Sequence, residues 1–477
     1  MYFLAVKPKT PTILSGETSS VKLPGYELWM TYIENVHILP TRIKVPQFIR
    51  AMEETLQAYP HAAGQLLRDG DQWEISLTAS SIMVEVEDSG TASLGLDQHP
   101  WVVQRNLSRF FRSRVYEPSR YPSDPALIHS QPSSDSVHSL LLIKLTITQE
   151  ETAIGVSWHH TLGDATVLLR FMQLLSQRYQ RDDRPAPALP TPSFTKRFFR
   201  SPDDALLEAY SPLMPHLAHA CPTADLGQRY AAMNRDTAEV AFNVTTTQLR
   251  NLRDLIMKRK ALDVRPSSQD CLTAYIVSVI NRHSEIPITK ITNAASYRAV
   301  PGAVESPAVA GNAIYIIPCD LSPGSTLEDS ACSIRRSIIR SREPSFVEEY
   351  MSVASHLMLS AANAGRSMFF AAPPGHASVN SNVAISWHTA HFGFPTRIRF
   401  HTSGINDRYI RVFFSNPDPD YIRRTVEGEL AAQIPTVDRP EGSLDVFFAV
   451  ESRIRDVVHR NITTDLDSPM FPENVIA

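Results

Sequence analysis

Residues 138–179 read HSLLLIKLTITQEETAIGVSWHHTLGDATVLLRFMQLLSQRY. Leu140 to Ile147 is a β-rich run, Gln149 to Thr152 is polar and short enough for a hairpin turn, and Ala153 to Trp158 is a second strand. The chain then passes through HHTLGD into a segment where Val167, Leu168, Phe171, Leu174, Leu175 and Tyr179 recur with the period of a helix. Asp164 stands just before that helix, where an N-cap is needed. The order strand, short loop, helix places His160 where a strand ends, on a loop held by two regular elements. Functional side chains favour such positions.

Upstream, in FIRAMEETLQAYPHAAGQLL (48–67), Phe48, Met52, Leu56 and Tyr59 form one apolar stripe that marks a helix to about Ala58. Pro60 stops it, and Gly64 begins a turn. DGDQWEISL (69–77) alternates as a half-buried strand does. Downstream, 181–215 is polar and proline-rich, which reads as a linker and the domain boundary. The expected division is therefore 1–200 and 201–477, with some segments crossing over. TAEVAFNV (237–244) reads as a strand. TTTQLRNLRDLIMKR (245–259) reads as a helix, and SSQDCLTAYIVSVINRH (267–283) as another capped by Ser267 or Ser268. Strands around 291–297 and 312–318, a long helical region from about 326 to 362, and strands near NVAISW (382–387), RIRFHTS (397–403) and YIRVFFS (409–415) complete the map. Helices and strands mix without strict βα alternation, so the fold class is mixed α/β or α+β.

A chain of 477 residues exceeds one ordinary core. Its 43% hydrophobic and 20% charged residues are those of a globular protein. The net charge of -4 gives no electrostatic reason for a nucleic-acid or membrane partner. No uncharged apolar run approaches the roughly 18 residues of a membrane span. The opening MYFLAVKPKTPTILSG lacks the basic and apolar regions of a signal peptide, which reads as cytoplasmic. Cys221, Cys271, Cys319 and Cys332 are scattered, in no metal-binding spacing.

A general base at neutral pH needs a group titrating near 7, for which imidazole is the default. His160, with Gly163 to close the turn and Asp164 to fix the loop, fits that need. An HxxxD arises about once by chance among this many histidines, so a hydrogen-bonded histidine at a strand end is the competing reading. His159 points the opposite way along a strand and reads as structural. The same geometry argues against His159, His160 and Asp164 as a metal site, so no metal is expected. There is no GxSxG, GxGxxG or P-loop pattern.

Several segments, in order, resemble the BAHD acyltransferase family, in particular its fungal, trichothecene-acetyltransferase-like branch. HHTLGDA resembles the family's HHxxxDG, with Ala165 for glycine. LQAYPHAAGQLL, SSQDCLTAYIVSVINR and NAASYRAVPG…GNAIY, the last centred on Arg298, Gly311 and Asn312, resemble three further motifs. NVAISWHTAHFGFP stands where the family has SW…DFGWG, and here His391-Phe392-Gly393-Phe394-Pro395 replaces the acidic residue, the tryptophan and the second glycine. These matches span about 45 to 415.

The resemblance implies two similar chloramphenicol-acetyltransferase-like domains with a central channel, entered by acyl-CoA from one face and the acceptor from the other. It implies that His160 takes the acceptor's proton, and that Asp164 is structural, turned away from the channel and paired with an arginine, for which Arg298 is the candidate. Gly163 supports the loop. Trp387, Phe392 and Gly393 are candidates for the channel or donor side, with Trp387 or a neighbouring serine as oxyanion donor. The expected activity is acyl transfer, acetyl first, from CoA to a hydroxyl or amine of a small secondary metabolite. A monomer with acyl-CoA as co-substrate and no resident cofactor is expected. Two rivals keep the fold: a CoA-independent cyclase, condensing or pericyclic enzyme, and a non-catalytic small-molecule binder.

Overall fold

A computed structural model of the chain describes residues 1–8, 19–77, 81–96, 101–112, 139–181, 188–258, 262–371, 373–404, 406–417 and 443–468. Residues 182–187 of the expected linker lie outside the described residues.

The hairpin read from the sequence forms as Leu141–Ile147 and Thr152–His159, paired antiparallel. Both strands are buried along their whole length, which explains apolar runs in place of alternation. They are central in a six-stranded sheet ordered Tyr2–Val6, Ile82–Asp88, Leu141–Ile147, Thr152–His159, Tyr32–Leu39 and Arg399–Thr402. The helices Val45–Ala58 and Ala165–Gln180 cover one face, through Phe48, Met52, Leu56, Phe171 and Leu175. Leu94, Leu107 and Phe110 pack on Val36 and Ile38. Burying side chains of this size stabilises by roughly 1.5–3 kcal/mol each.

A second six-stranded sheet runs Thr237–Val244, Leu444–Glu451, Tyr409–Phe414, His376–Ser381, Lys290–Ser296 and Ile314–Asp320. Helices Thr246–Lys258, Ser268–Asn281, Leu327–Ser341 and Arg455–Asp467 share its core. Ser267 caps Ser268–Asn281 in a capping box with Asp270. Arg399–Thr402 comes from the C-terminal half yet pairs with Tyr32–Leu39, so the chain crosses from one sheet to the other.

Two sequence expectations need correction. NVAISW is not a strand: the strand is His376–Ser381, and Trp387–Thr389 is a 3-10 turn. The helical region expected from about 326 to 362 does form, as two helices, Leu327–Ser341 and Pro344–Asn363, with Pro344 in the first turn of the second. The described part of the expected linker is not loose chain: Asp204–Tyr210 is helical, Ser193 bridges to Val309, and Lys196 is buried. No helix among the described residues is long and apolar enough to cross a membrane.

Candidate active site

The strand Thr152–His159 ends in the 3-10 turn His160–Leu162, whose first N–H donates to Thr31 O at 2.8 Å. Gly163 follows with φ +134°, and its carbonyl accepts from Trp158 Nε1 at 2.9 Å. A Cβ there would stand 2.7 Å from Val167 and 3.1 Å from the Gly311 nitrogen, so glycine lets two loops meet. His61 Nε2 bonds Leu162 O at 3.0 Å from below.

Asp164 caps the helix Ala165–Gln180: Oδ1 accepts from the Thr166 and Val167 nitrogens at 3.0 and 3.3 Å. Its Oδ2 accepts from Arg298 Nη2 at 2.9 Å and from the Ala313 nitrogen at 3.0 Å. Burial pushes this carboxyl up, but the Arg298 charge and the Ala313 N–H outweigh it and hold the pKa below the usual carboxylate range. Arg298 also donates to the Val309 and Gly311 carbonyls, both at 2.9 Å, and so fastens the loop before Asn312.

Asn312 fixes the orientation of His160. Its Nδ2 donates to Glu27 Oε2 at 2.9 Å and to His160 O at 2.8 Å, both groups that can only accept. The amide oxygen is thereby turned to His160 Nδ1 at 2.8 Å, so Nδ1 carries the proton and Nε2 the lone pair. Glu27 is itself buried, with Oε1 at 2.9 Å from buried Lys196 Nζ. Burial raises the Glu27 pKa; Lys196 and the Asn312 donors oppose that shift. Every partner around this carboxylate donates, which selects its ionised form. Gly311 packs directly on the pair, since a Cβ would lie 2.0 Å from Lys196 Nζ.

The imidazole stacks on Trp29, with centroids 5.0 Å apart, and Trp29 stacks in turn on Phe370. Burial is the largest influence on His160 and lowers its pKa; the Asp164 charge and the Asn312 hydrogen bond counter it in part. The ring is therefore neutral at pH 7. His160 lines a cavity of about 540 Å³ between the two sheets, with Thr31–Asn35 on one wall and Thr292, Ser378, Asn380, Tyr409 and Arg411 on the other. Nε2 has no hydrogen-bond partner among the described residues. A neutral imidazole held this way can accept a proton from a group entering the cavity.

Of the residues singled out from the sequence, His160 lines the cavity, Gly163 shapes the turn after it, and Arg298 forms the ion pair with Asp164. Asp164, expected to turn away from the channel, is instead among the lining residues, because its bonds to Arg298 and Ala313 hold it beside the cavity. Trp387 is in the cavity wall, but its Nε1 is directed at Asn382 Oδ1 (3.4 Å), and Ser386 is exposed outside the lining. Phe392 and Gly393 are not among the lining residues: Phe392 packs on Tyr179 and Gly393 lies near Gln180, behind the helix Ala165–Gln180. The altered HFGFP segment thus buttresses that helix and does not face the cavity. The four cysteines are buried and outside the lining, and burial pushes Cys271 to about 12 and Cys319 to about 11. No group of side chains suited to a metal occurs among the described residues.

Sequence reasoning missed Glu27, Trp29 and Lys196. Nothing local marks them, because each acts on residues far away in the chain, and Lys196 sits in a stretch whose composition imitates a linker.

No protein-family model matches the chain, and no curated protein does. Solved structures do. TRI101 of F. sporotrichioides, crystallised with coenzyme A and T-2, is 16% identical over 94% of this chain and 97% of its own, with a TM-score of 0.59. TRI101 of F. graminearum with ethyl coenzyme A is 14% identical, covering 94% and 97%, with a TM-score of 0.60. Vinorine synthase is 13% identical, covering 96% and 95%, also with a TM-score of 0.60. The likeness to TRI101 and vinorine synthase is one of fold, the two-domain, chloramphenicol-acetyltransferase-like arrangement that the motifs implied.

Proposed function

We propose that this chain transfers an acyl group, acetyl first, from coenzyme A to a hydroxyl or amine of a small metabolite, with His160 as general base. The observation that carries the reading is the neutral His160 ring, with Nδ1 tied to Asn312 and Nε2 unpartnered at the cavity wall. TRI101 of F. sporotrichioides, which has the same fold at low identity, was crystallised with coenzyme A and T-2 together, which supports a site for two small molecules.

In this reading the acceptor's O–H or N–H gives its proton to His160 Nε2 as the acceptor atom attacks the thioester carbonyl. The tetrahedral intermediate collapses, the C–S bond breaks, and the imidazolium returns the proton to the departing thiolate. Asp164 and Arg298 hold the loop and take no part in proton transfer. No covalent nucleophile is needed, because holding both reactants beside one base removes most of the entropic barrier.

The test is incubation with a panel of acyl-CoAs while thiol release is followed, with the thermal midpoint measured alongside. Slow thiol release from at least one donor and a rise in midpoint, by mass action, are expected. Neither signal with any donor at saturation would favour the CoA-independent chemistry.

A further inference from the structure

The cavity wall opposite His160 holds a cation that has no counterion among the described residues. Arg411 lies on the strand Tyr409–Phe414, in register with Asn380 of His376–Ser381, and is 8% exposed. No carboxylate among the described residues forms an ion pair with it. Its Nη1 is held by the Ser403 and Gly404 carbonyls. Its Nε is buried without a partner, and Nη2 has no hydrogen bond among the described residues. The guanidinium lies over the Phe413 ring at 4.9 Å and the Tyr409 ring at 5.8 Å, which fixes its plane. Burial lowers its pKa, with only Tyr409 acting in the other direction. Asp407 shares the cavity wall, but burial pushes its carboxyl up to about 6, and the cation that opposes this is Arg408.

A buried charge is retained in a fold only when something compensates it. Here the protein supplies carbonyls to Nη1 and, among the described residues, no acceptor to Nε or Nη2. Nε and Nη2 form the lateral fork that matches two oxygens of a planar anion.

We propose that Arg411 forms an oxyanion subsite in the cavity, where a carboxylate or phosphate oxygen of the bound small molecule is held. This deepens the proposed function by giving one of its two ligands a negative charge placed inside the cavity. A carboxylate on the acceptor matches the planar fork; a phosphate of the donor is the other source of the same chemistry.

The experiment compares a panel of aromatic and aliphatic carboxylic acids with their primary amides, and titrates CoA separately, on the full chain and on Arg411→Gln. With an acceptor carboxylate, the unchanged protein binds acids about tenfold or more tighter than amides, as charge-assisted hydrogen bonds do. Arg411→Gln then erases that preference and leaves CoA affinity within about twofold, a change too small for a lost charge-assisted bond. With a donor phosphate, Arg411→Gln instead weakens CoA about tenfold. Absence of any acid preference in the unchanged protein, together with unaltered CoA binding by the variant, would overturn the subsite. If Arg411→Gln fails to fold, Arg411→Lys, which keeps the charge and loses the fork, takes its place. The acid–amide comparison needs no acyl transfer, so it reads out Arg411 even where thiol release is never seen.

Discussion

At the scale of the residue, the account turns on which nitrogen of His160 carries the proton. Asn312 can present only its oxygen to Nδ1, because its amide nitrogen is committed to Glu27 Oε2 and the His160 carbonyl. Asn312→Leu should therefore lower turnover about tenfold or more while leaving substrate affinity largely intact, since a misoriented base loses much of its catalytic contribution. Steady-state kinetics on purified variants would check this, and unchanged turnover would contradict it. The lowered His160 pKa has a second consequence. The acidic limb of kcat/KM should inflect below 6.5, the ordinary imidazole value, because the base stays unprotonated to lower pH. An inflection above 6.5 would mean that the charged form is favoured in the cavity.

At the scale of elements, two ion pairs fasten the loop from which His160 projects. Asp164 joins the start of a helix to Arg298 and Ala313, and Glu27 joins Lys196 to Asn312. Asp164→Ala removes a cap and leaves a largely buried arginine unpaired, so about 3–5 kcal/mol of stability should be lost in chemical denaturation. A denaturation midpoint that stays put while activity disappears would assign Asp164 a direct chemical role. Lys196→Met alone should likewise destabilise, whereas the double variant Glu27→Gln with Lys196→Met should recover much of the loss. Additive losses in that cycle would show the two groups to be uncoupled.

These elements also show what can be read from sequence. The hairpin, the loop and the helix after Asp164 are legible because their periodicity and cap are local. The Asp164–Arg298 pair is separated by 134 positions and was reachable only through resemblance to a family. Lys196 was hidden, because a proline-rich composition looks the same whether the chain is solvated or docked. NVAISW has strand-like residues but turns instead, as Trp387 leaves the second sheet to stack on Phe400 of the first. Local propensity yields there to tertiary packing.

At the scale of the whole molecule, three buried histidines make stability depend on pH. Burial holds His37, His61 and His216 down to about 3 in the folded chain, against 6.5 for the unreacted side chain. Between those values the unfolded chain binds more protons than the folded one. Their contribution is therefore complete above about 6.5 and is lost as pH falls towards 3, by up to about 4 kcal/mol per pH unit for the three together. Unfolding free energies measured at pH 7 and pH 5 should differ by several kcal/mol, and equal values would contradict the burial of neutral rings. The same two-sheet packing leaves the cavity with His160 on one wall and Arg411 on the other.

Thiol release from acetyl-CoA by the unchanged protein and by His160→Ala reports whether this imidazole performs the proton transfer. A fall of about a hundredfold or more is expected in the variant, with its fold intact by thermal melting. Equal rates in a folded His160→Ala protein would contradict it.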